Sequence, residues 1–361
     1  MAVAMPVADA VILFREAGLK VVETGFEHGT VTVVGNDETI EVTQTRVDLD
    51  TDGRHATVAF SDDWQADASR RDFTVNALYV TADGIVEDPL GCGRTDLASR
   101  RLRFVGDAVR RVEEDALRML RFCRFLPRFN DGGIDPDAMA ALLAAAPLSA
   151  GLSGERIAGE LRRLLGESGG RIGLQIMQQA GLALHAVGTE MEPERLTPQI
   201  DRLADMAVLE DRDAWLIRLA MVTPASSAAA LSSRLRLSRR ESTMLSGLDL
   251  DSPETDFKAL SGPIWRHAAY WCRRGGGLPA AHLLVATARL MREVEERRFS
   301  EILAWQPPLF PLTGAELLSH GVDKGPAVGE MLREAERIWV SQDFVPTKEQ
   351  LVAQVGLDSK A

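Results

Sequence analysis

The sequence predicts an α+β protein in which a small β-containing head, residues 1–97, precedes a helical region that continues nearly to the C-terminus. Short runs of β-branched and apolar residues, separated by glycine-containing turns, are confined to the first hundred residues. Beyond Leu97 the apolar residues recur every three to four positions, which is the period of an amphipathic helix. The length of 361 residues is enough for two or three domains with a sizeable core.

The head is predicted to begin with a helix over Val7 to Ala17, which Gly18 ends. Extended segments follow, with turn-forming residues between them. Asp83-Gly84 lies between two short apolar runs and predicts a hairpin. The predicted extended segments are Lys20–Glu23, Thr30–Val34, Thr39–Thr45, Ala56–Phe60, Ala77–Thr81 and Ile85–Glu87.

The composition is that of a folded protein, with 45% apolar and 26% charged residues. No apolar run approaches the roughly 20 residues of a membrane span. Met1 to Ala10 carry no Lys or Arg, so the basic start of a secretory signal is missing and a cytoplasmic location is expected. Cys92, Cys123 and Cys272 lie far apart and lack zinc-site spacing, which indicates reduced thiols buried as small hydrophobic groups.

The net charge of −12 argues against nucleic-acid binding by the whole surface, but one stretch is basic. Residues Arg100 to Arg128 contain nine arginines and four acidic residues. Such a stretch could bind a polyanion. A solvated helix face in an arginine-rich protein explains it equally well, and charge alone leaves both interpretations open.

The first segment with chemical potential is Arg70 to Leu78, which begins Arg-Arg-Asp-Phe and also contains Asn76. Two arginines beside an acid, just before an apolar run, can grip a triphosphate or a ribose while Asp72 orients a guanidinium. Taken alone, the same residues could be a helix terminus with surface ion pairs.

The second segment is a predicted helix whose buried stripe is formed by apolar residues at three- to four-residue spacing. Asp115 and Arg118 are three residues apart and share another face, which Arg121 and Arg124 continue. Asp115 can accept from an exocyclic amino group while Arg118 donates to the neighbouring ring acceptor. Cytosine and adenine present that pair of groups, whereas uracil and guanine present a carbonyl, so the pair selects C and A. A solvated ion pair is the alternative. The predicted stripe is Val109, Val112, Ala116, Leu120 and Cys123.

Together, in this order and spacing, several segments resemble the class II CCA-adding tRNA nucleotidyltransferases and the related bacterial poly(A) polymerases. The segment Arg70–Leu78 is similar to the family's ribose-recognition motif, and Glu114–Phe125 to its nucleobase-selecting motif. The glycine-containing segment Asp88–Leu97, which includes Gly93 and Asp96, resembles the flexible hinge motif; a plain loop would also explain it. Residues Ser153–Ile157, followed by Glu160 and Leu161, look like the next helical motif.

The resemblance implies a nucleotidyltransferase head with the polymerase-beta fold, followed by an all-helical neck, body and tail. The implied domains are an incomplete head over residues 1–97, a neck with the nucleobase-selecting helix over residues 98–170, and a tRNA-binding body and tail over residues 171–361. The implied reaction is template-free transfer of CMP and AMP from CTP and ATP to the 3′ end of tRNA. Arg71 would contact triphosphate or ribose, and the nucleotide would lie against residues Arg70, Asp72, Asn76, Asp115, Arg118, Arg121 and Arg124.

The sequence departs from the family in its metal-binding part. In the family a Gly-Gly turn, an Arg-Asp pair and an Asp-x-Asp strand hold the triphosphate and Mg²⁺, but Met1–Pro6 aligns beyond that strand. Asp48-Leu49-Asp50 has the right spacing, yet its polar surroundings predict a loop. Glu41, on a predicted strand, is the candidate for an auxiliary catalytic carboxylate, with an exposed strand glutamate as the alternative. Mg²⁺ is therefore expected for the family, but no metal ligand is assigned.

Two expectations follow from the missing carboxylate pair. The printed chain should transfer nucleotides slowly or not at all, and a head without its first strands should have an unpaired sheet edge and low stability. Either the true start lies upstream of Met1, or the gene is truncated and encodes a degenerate or RNA-binding remnant. The competing functions are an ATP-only poly(A) polymerase and a non-catalytic RNA-binding protein.

Overall fold

The computed structural model describes the backbone of residues 1–35, 38–51, 56–166, 168–208, 213–250 and 252–357, and their side chains except at 48–51, 56–58 and 130. The chain divides into two compact units. Unit 1 comprises Met1–Leu164, Gly169–Pro193 and Ser233–Arg236, and unit 2 comprises Leu165–Ser168, Glu194–Ser232 and Leu237–Ala361.

The described residues confirm the α+β prediction, because all strands lie in the first ninety residues and only helices follow. The strands are β1 (Ala2–Val3), β2 (Lys20–Val22), β3 (Thr30–Val34), β4 (Thr39–Gln44), β5 (Arg46–Thr51), β6 (Ala56–Phe60), β7 (Tyr79–Val80) and β8 (Val86–Glu87). Four of them form one sheet in the order β1-β4-β3-β2, with β1 parallel to β4 and the other pairs antiparallel.

The first α-helix covers one face of this sheet. Helix α1 (Val7–Glu16) forms where the sequence predicts it, and Gly18 ends it at a φ of +76°. Val7 and Val11 pack on alternate residues of the neighbouring strands, Val31 and Val33 of β3 and Val42 of β4. The residues between these valines therefore point to the opposite face.

Two hairpins complete the β-structure of unit 1. Strands β7 and β8 pair around Gly84, at a φ of +85°, which confirms the hairpin predicted from Asp83-Gly84. Strand β5 pairs with β6, so the prediction that Asp48 and Asp50 lie in a loop was wrong. The apolar run of β6 supplies the ladder partner, and backbone pairing does not require β5 itself to be apolar.

The other regular elements of the described chain are helices, joined by turns and loops. The helices of its first half are α2 (Trp64–Ser69), α3 (Gly93–Ala98), α4 (Ala108–Glu114), α5 (Leu117–Phe125), α6 (Pro136–Ala145), α7 (Gly154–Leu165) and α8 (Arg171–Gln179). The later helices are α9 (Pro198–Met206), α10 (Ala214–Val222), α11 (Ala228–Arg234), α12 (Arg239–Leu248), α13 (Pro253–Ser261), α14 (Trp265–Arg274), α15 (Pro279–Arg289), α16 (Glu296–Ala304), α17 (Gly314–Ser319), α18 (Pro326–Ser341) and α19 (Lys348–Gln354).

The predicted nucleobase-selecting helix is in fact two helices. Asp115 has extended backbone angles, φ −152° and ψ 104°, so α4 ends before it and α5 begins after it. The break changes the helical phase. Val112, Leu120 and Cys123 are buried as predicted, whereas Val109 is 42% exposed and Ala116 only partly buried.

An aromatic cluster fixes α5 against the segment that follows α2. Phe73 is fully buried, and its ring centroid lies 5.5 Å from that of Phe125 and 6.1 Å from that of Phe122. Phe104 stacks on Phe122 at 5.5 Å. Such ring pairs add about 0.5–1.5 kcal/mol each beyond the burial of their area. The cluster therefore sets the position of the charged residues next to Phe73 relative to those of α5.

The glycine-containing segment after β8 is a packed helix start, not a plain loop. Gly93 begins α3 and is buried against the Thr74–Asn76 turn. A Cβ at Gly93 would lie 2.6 Å from the Thr74 carbonyl oxygen and 2.8 Å from Leu78 Cδ2. Asp96, also buried, accepts from the Thr74 hydroxyl at 2.6 Å and from Arg103 Nε.

Unit 2 has an aromatic core of its own near the end of the chain. Tyr270 of α14 and Trp339 of α18 are buried with their centroids 5.7 Å apart, and Phe344 lies 5.0 Å from Trp339. The Tyr270 hydroxyl donates to Glu336 at 2.5 Å, which satisfies its polar end. Among the described residues, no helix is both long and apolar enough to span a bilayer.

The three thiols are free. Cys123 is fully buried, which confirms the prediction for that residue, whereas Cys92 and Cys272 are half-buried. Burial raises the pKa of the Cys123 thiol far above its ordinary value, so this group stays protonated.

We predict that Gly93→Ala destabilises unit 1 by about 1–3 kcal/mol, because the new methyl group overlaps backbone that cannot move independently. Gly159→Ala is the matched control, since nothing lies within 4 Å of a Cβ at this position inside α7. The control should gain up to about 1 kcal/mol from helix propensity. Urea unfolding measures both values, and equal stability of the two variants would contradict the packing argument.

Candidate functional site

A buried aspartate organises the two arginines that precede Phe73. Asp67 of α2 is fully buried, and its carboxylate pairs with Arg70 at 2.5 Å and with Arg71 at 2.8 Å. The Tyr79 hydroxyl donates to the same carboxylate at 2.5 Å. The acid that orients these guanidiniums is therefore Asp67, whereas the sequence assigned that task to Asp72. Arg71 keeps 34% of its side chain exposed, and Arg70 keeps 14%.

The charge state of this cluster is fixed by its hydrogen bonds. Burial alone would raise the pKa of Asp67, but hydrogen bonds from Tyr79, Arg71 and Arg70 outweigh it and lower the pKa to about 2. Burial likewise opposes the charge of Arg71, and the bond to Asp67 raises its pKa above the ordinary value. The pKa of Tyr79 is raised to about 12 by burial and by its bond to Asp67. Arg71 therefore presents a permanent positive charge.

Asp72 joins this segment to α5. Its Oδ2 accepts from Arg121 Nε at 2.7 Å and Nη2 at 2.6 Å, and its Oδ1 accepts from the Asn76 amide at 3.0 Å. Asp72 is 8% exposed and Arg121 30% exposed. The sequence was therefore correct that Asp72 orients a guanidinium, but the guanidinium is that of Arg121, 49 residues away.

Asp115 lies at the break between α4 and α5, and its side chain caps α5. Oδ1 accepts from the Leu117 amide at 3.0 Å. Arg156 of α7 donates from Nη2 to Oδ1 at 2.9 Å and to Oδ2 at 2.7 Å. Because each carboxylate oxygen offers two acceptor sites, Oδ2 retains capacity for one more donor.

Arg118, one turn further along, is held by an acid and two carbonyl groups. Its Nη1 donates to Glu114 at 2.6 Å and to the Arg111 carbonyl at 3.0 Å. Its Nη2 donates to the Arg70 carbonyl at 3.1 Å. Within the part of the chain that the structure describes, its Nε–H and the second Nη2 hydrogen have no partner, so two of its five donors remain.

Helix α7 contributes a second ion pair one turn beyond Arg156. Glu160 is buried and accepts from Arg124 Nε at 2.5 Å, and its Oε1 lies 4.0 Å from Arg121 Nη1. The Arg124 guanidinium also lies 4.0 Å from the centroid of the Phe125 ring. Arg124 is 14% exposed, so the third arginine of the predicted row is enclosed by its partners.

The structure thus brings together eight of the residues predicted from the sequence. Hydrogen bonds from Arg118 and Arg121 link α5 to the segment after α2. Helix α7 contacts Asp115 and α5 through Arg156 and Glu160. The eight residues are Arg70, Arg71, Asp72, Asn76, Asp115, Arg118, Arg121 and Arg124.

The other predicted residues lie elsewhere in unit 1. Glu41 lies on the sheet face opposite α1, and among the described residues it has no side-chain hydrogen bond or ion pair to the arginines of α5. Asp88 accepts from the Arg94 amide at 3.0 Å and closes the turn before α3. Gly93 and Asp96 fix that helix to the Thr74 turn.

The basic stretch Arg100–Arg128 is largely an ion-pair lattice. Seven of its nine arginines pair with an acid: Arg100, Arg101, Arg103, Arg111, Arg118, Arg121 and Arg124. Five of the partners come from outside the stretch: Asp72, Asp96, Asp131, Asp135 and Glu160. Counting charges along the sequence therefore overstated the free positive charge available to a polyanion.

No site role was predicted from the sequence for Asp67, Arg156 or Glu160, although the last two were placed in a segment that resembles a family motif. Asp67 lies three and four residues before Arg70 and Arg71, a spacing that places all three on one side of a helical turn. Arg156 and Glu160 are also four residues apart, so they reach α5 from one face of α7. Both spacings were visible in the sequence. The residues that Arg156 and Glu160 contact, Asp115 and Arg124, could not be deduced from it.

The described residues do not fit a metal pair. Among them no group of three or more His, Cys, Asp or Glu side chains could hold an ion. The buried carboxylates of the site are each already paired with arginine. The side chains of Asp48 and Asp50 lie outside the described residues.

Comparisons with known proteins agree with this geometry. The profile of the poly A polymerase head domain matches residues 1–103, and that of the probable RNA- and SrmB-binding site of polymerase A matches residues 133–187. The Danio rerio protein "CCA tRNA nucleotidyltransferase 1, mitochondrial" is 31% identical over 95% of this chain and 79% of its own length. The CCA-adding enzyme of Levilactobacillus brevis is 30% identical over 93% of this chain and 84% of its own length.

A solved structure shows the same fold. The Bacillus stearothermophilus CCA-adding enzyme in complex with CTP superimposes with a TM-score of 0.66 at 25% identity, covering 98% of this chain and 86% of that one. Because the similarity to these relatives extends over most of both chains, this chain belongs to the family of CCA-adding tRNA nucleotidyltransferases, as the motifs of its sequence predicted.

Proposed function

We propose that this chain selects CTP and ATP for the template-free addition of CMP and AMP to the 3′ end of tRNA, with slow transfer because the described residues offer no carboxylate pair for Mg²⁺. The observation that carries the proposal is the arrangement of Asp115 and Arg118 in one turn, each held by other groups of unit 1 and each retaining unused hydrogen-bonding capacity. Relatives named CCA-adding enzymes support it, as does the CTP complex of the B. stearothermophilus enzyme.

The proposed selection of bases follows from the unused acceptor of Asp115 and the unused donors of Arg118. Asp115 Oδ2 accepts from the exocyclic amino group of cytosine or adenine, while Arg118 donates to the ring nitrogen beside it. Uracil and guanine would turn a carbonyl oxygen toward the carboxylate. Since the site is already organised by Arg156, Glu114 and the Arg70 carbonyl, little reorganisation is needed on binding.

The arginines around this pair complete the proposed nucleotide site. Arg71, charged and one-third exposed, contacts the triphosphate or ribose. Arg70, Asp72 and Asn76 support it from the same segment, and Arg121 offers its remaining donors to the nucleotide. Arg124, enclosed by Glu160 and Phe125, contributes by fixing α5. Glu41 has weaker support as a catalytic carboxylate, because its connection to these residues is not visible.

The proposal assigns residues 1–97 to the head, 98–170 to the neck and 171–361 to a body and tail that bind tRNA, with activity in the cytoplasm. Mg²⁺, which the family resemblance implies, would neutralise the phosphates and activate the 3′-hydroxyl. Since the described residues offer no ligand set for it, nucleotide selection is the primary test.

Transfer is tested with a tRNA transcript that lacks its terminal CCA, labelled CTP or ATP, and MgCl₂. Addition of C, C and A supports the proposal, and also contradicts the expectation that the printed chain is nearly inactive. Extension with ATP alone favours a poly(A) polymerase. Binding of tRNA with a steep salt dependence and without nucleotide selectivity favours an RNA-binding protein.

We predict that the chain binds CTP and ATP about tenfold or more tightly than UTP and GTP, since one well-placed pair of hydrogen bonds to a base discriminates by about 1–3 kcal/mol. Asp115→Asn should reduce that ratio to near one, because its amide can also donate to a carbonyl. Calorimetric titration gives the four Kd values. Arg15→Ala, which removes an exposed ion pair with Glu23, is the control. An unchanged ratio in Asp115→Asn would contradict the proposed role.

Arg156 is proposed as a positioning residue. Without it, Asp115 loses its bidentate partner, so Arg156→Gln should lower the preference for CTP over UTP several-fold, while Arg156→Lys restores part of it. A purely structural defect would instead weaken the binding of all four nucleotides equally, and Arg156→Lys would not restore the preference. The four Kd values and the melting temperature of each variant separate these outcomes.

Asp67→Asn should lower the free energy of unfolding by about 1–2 kcal/mol at pH 7. Because the pKa of Asp67 is about 2 in the folded chain against an ordinary 3.8, its contribution is full above pH 4 and is lost as the pH falls toward 2. The difference in the free energy of unfolding between wild type and Asp67→Asn, measured by urea unfolding, should therefore become smaller from pH 4 to pH 2. Asp131→Asn, which removes an exposed pair with Arg100, should show a much smaller gap.

A further inference from the structure

Unit 2 contains a cavity of about 1020 Å³ that the proposed function does not use. It is open to solvent on one side and is lined by α12, α13, α14 and the start of α15, with the glycine run at 275–277 along one wall. Ligand sites in proteins commonly have volumes of about 300–1,000 Å³, so this cavity has the size of a small-molecule site.

One part of the cavity wall carries an acid and an imidazole that have no hydrogen-bond partners. Within the described residues, the Asp256 carboxylate makes no hydrogen bond or ion pair, and neither does the His282 ring. Burial raises the pKa of the Asp256 carboxyl above its ordinary value. Burial lowers the pKa of His282 below its ordinary value, so the ring is neutral at pH 7.5 and offers one acceptor and one donor.

The glycine run brings a third group to the same place. A Cβ at Gly277 would lie 2.7 Å from Cys272 Sγ and 3.1 Å from His282 Nε2, so only glycine allows this approach. Burial, followed by the charge of Asp256, raises the pKa of Cys272 to about 12, and the thiol is therefore protonated.

The remaining wall offers a cation and an aromatic ring. Arg239, at the start of α12, is exposed and has no acidic partner among the described residues. Its neighbour Arg240 is bound to Asp213 at 2.7 and 2.6 Å and stays in place. The Trp271 indole is 40% exposed and lines the cavity.

These groups restrict the ligand. An inorganic anion would meet the Asp256 carboxylate, and a simple cation would meet Arg239. A free amino acid would leave most of the volume empty. A planar heterocycle with an amino group and a separate anionic group satisfies all four positions, because it can donate to Asp256, bond His282, stack on Trp271 and pair with Arg239.

We propose that this cavity is a second nucleotide site, which binds an amino-bearing nucleotide such as CMP or AMP, either free or as part of an RNA strand. The amino group bonds the Asp256 carboxylate, the base lies on Trp271, and the phosphate pairs with Arg239. The site lies wholly within unit 2 and contains neither Asp115 nor Arg118.

The test is equilibrium dialysis of the full chain against labelled CMP, AMP and UMP. We expect two sites for CMP and AMP, one of which is weakened at least tenfold by Asp256→Asn and by Arg239→Ala but not by Arg118→Ala. UMP, which lacks the amino group, should fill that site poorly. Asp323→Asn and Arg297→Ala change exposed residues of unit 2 and are the controls. Melting temperatures confirm that the variants fold.

Trp271 gives an independent readout. CMP should quench tryptophan fluorescence in wild type, and Trp271→Phe should lose that quenching while it retains binding. In a second arm, anisotropy of a labelled single-stranded RNA ending in two cytidines tests the other source of the ligand. A tenfold loss of RNA affinity in Asp256→Asn, without binding of free CMP, identifies an RNA nucleotide.

The outcomes separate the two proposals. Suppose that Arg118→Ala abolishes all nucleotide binding, and that Asp256→Asn changes neither the binding of free nucleotide nor that of RNA. The second site is then refuted and the proposed function stands. If Asp256→Asn abolishes binding and Arg118→Ala has no effect, the second site stands and the proposed function is contradicted. No change with any variant refutes both.

Discussion

The ion pair between Asp72 and Arg121 is the contact on which the candidate site depends, because it joins a segment after α2 to a helix 49 residues later. Asp72 is buried, so loss of Arg121 would leave its carboxylate without an ion-pair partner, at a cost of about 3–5 kcal/mol. Phe73 beside Asp72 and Phe122 beside Arg121 bury the apolar side of the same junction. Charge pairing and ring packing therefore enforce one register between Arg71 and the Asp115–Arg118 turn.

Each of the other arginines predicted from the sequence is also held by an ion pair with a carboxylate. Asp67 holds Arg70 and Arg71, Glu114 holds Arg118, and Glu160 holds Arg124. A guanidinium has five donors, so one carboxylate fixes its orientation without using its capacity. A set of arginines in one place would otherwise repel one another. The acids make the cluster stable and leave directed donors at its surface.

The sequence predicted the residues of this site better than their geometry. Local signals sufficed for α1, β3 and the β7–β8 hairpin, because glycine positions and apolar alternation determine them within a few residues. The loop predicted at Asp48 was wrong because a strand can be formed by its partner, here β6. The continuous helix through Asp115 was wrong because its carboxylate caps α5 and pairs with Arg156, a contact between residues 41 positions apart. Period alone cannot reveal such a contact.

The break at Asp115 has a consequence that a continuous helix could not provide. Inside a helix, Asp115 would share the orientation of its neighbours and its backbone amides would already be bonded. At the break, its carboxylate is held by a backbone amide on one side and by a guanidinium on the other, and the remaining acceptor position faces neither. An acceptor fixed in this way discriminates between an amino group and a carbonyl without first reorganising, since the free energy of fixing it is spent when the chain folds. Under the proposed function, selectivity for a base is a property of the contact between α5 and α7, and not of Asp115 alone.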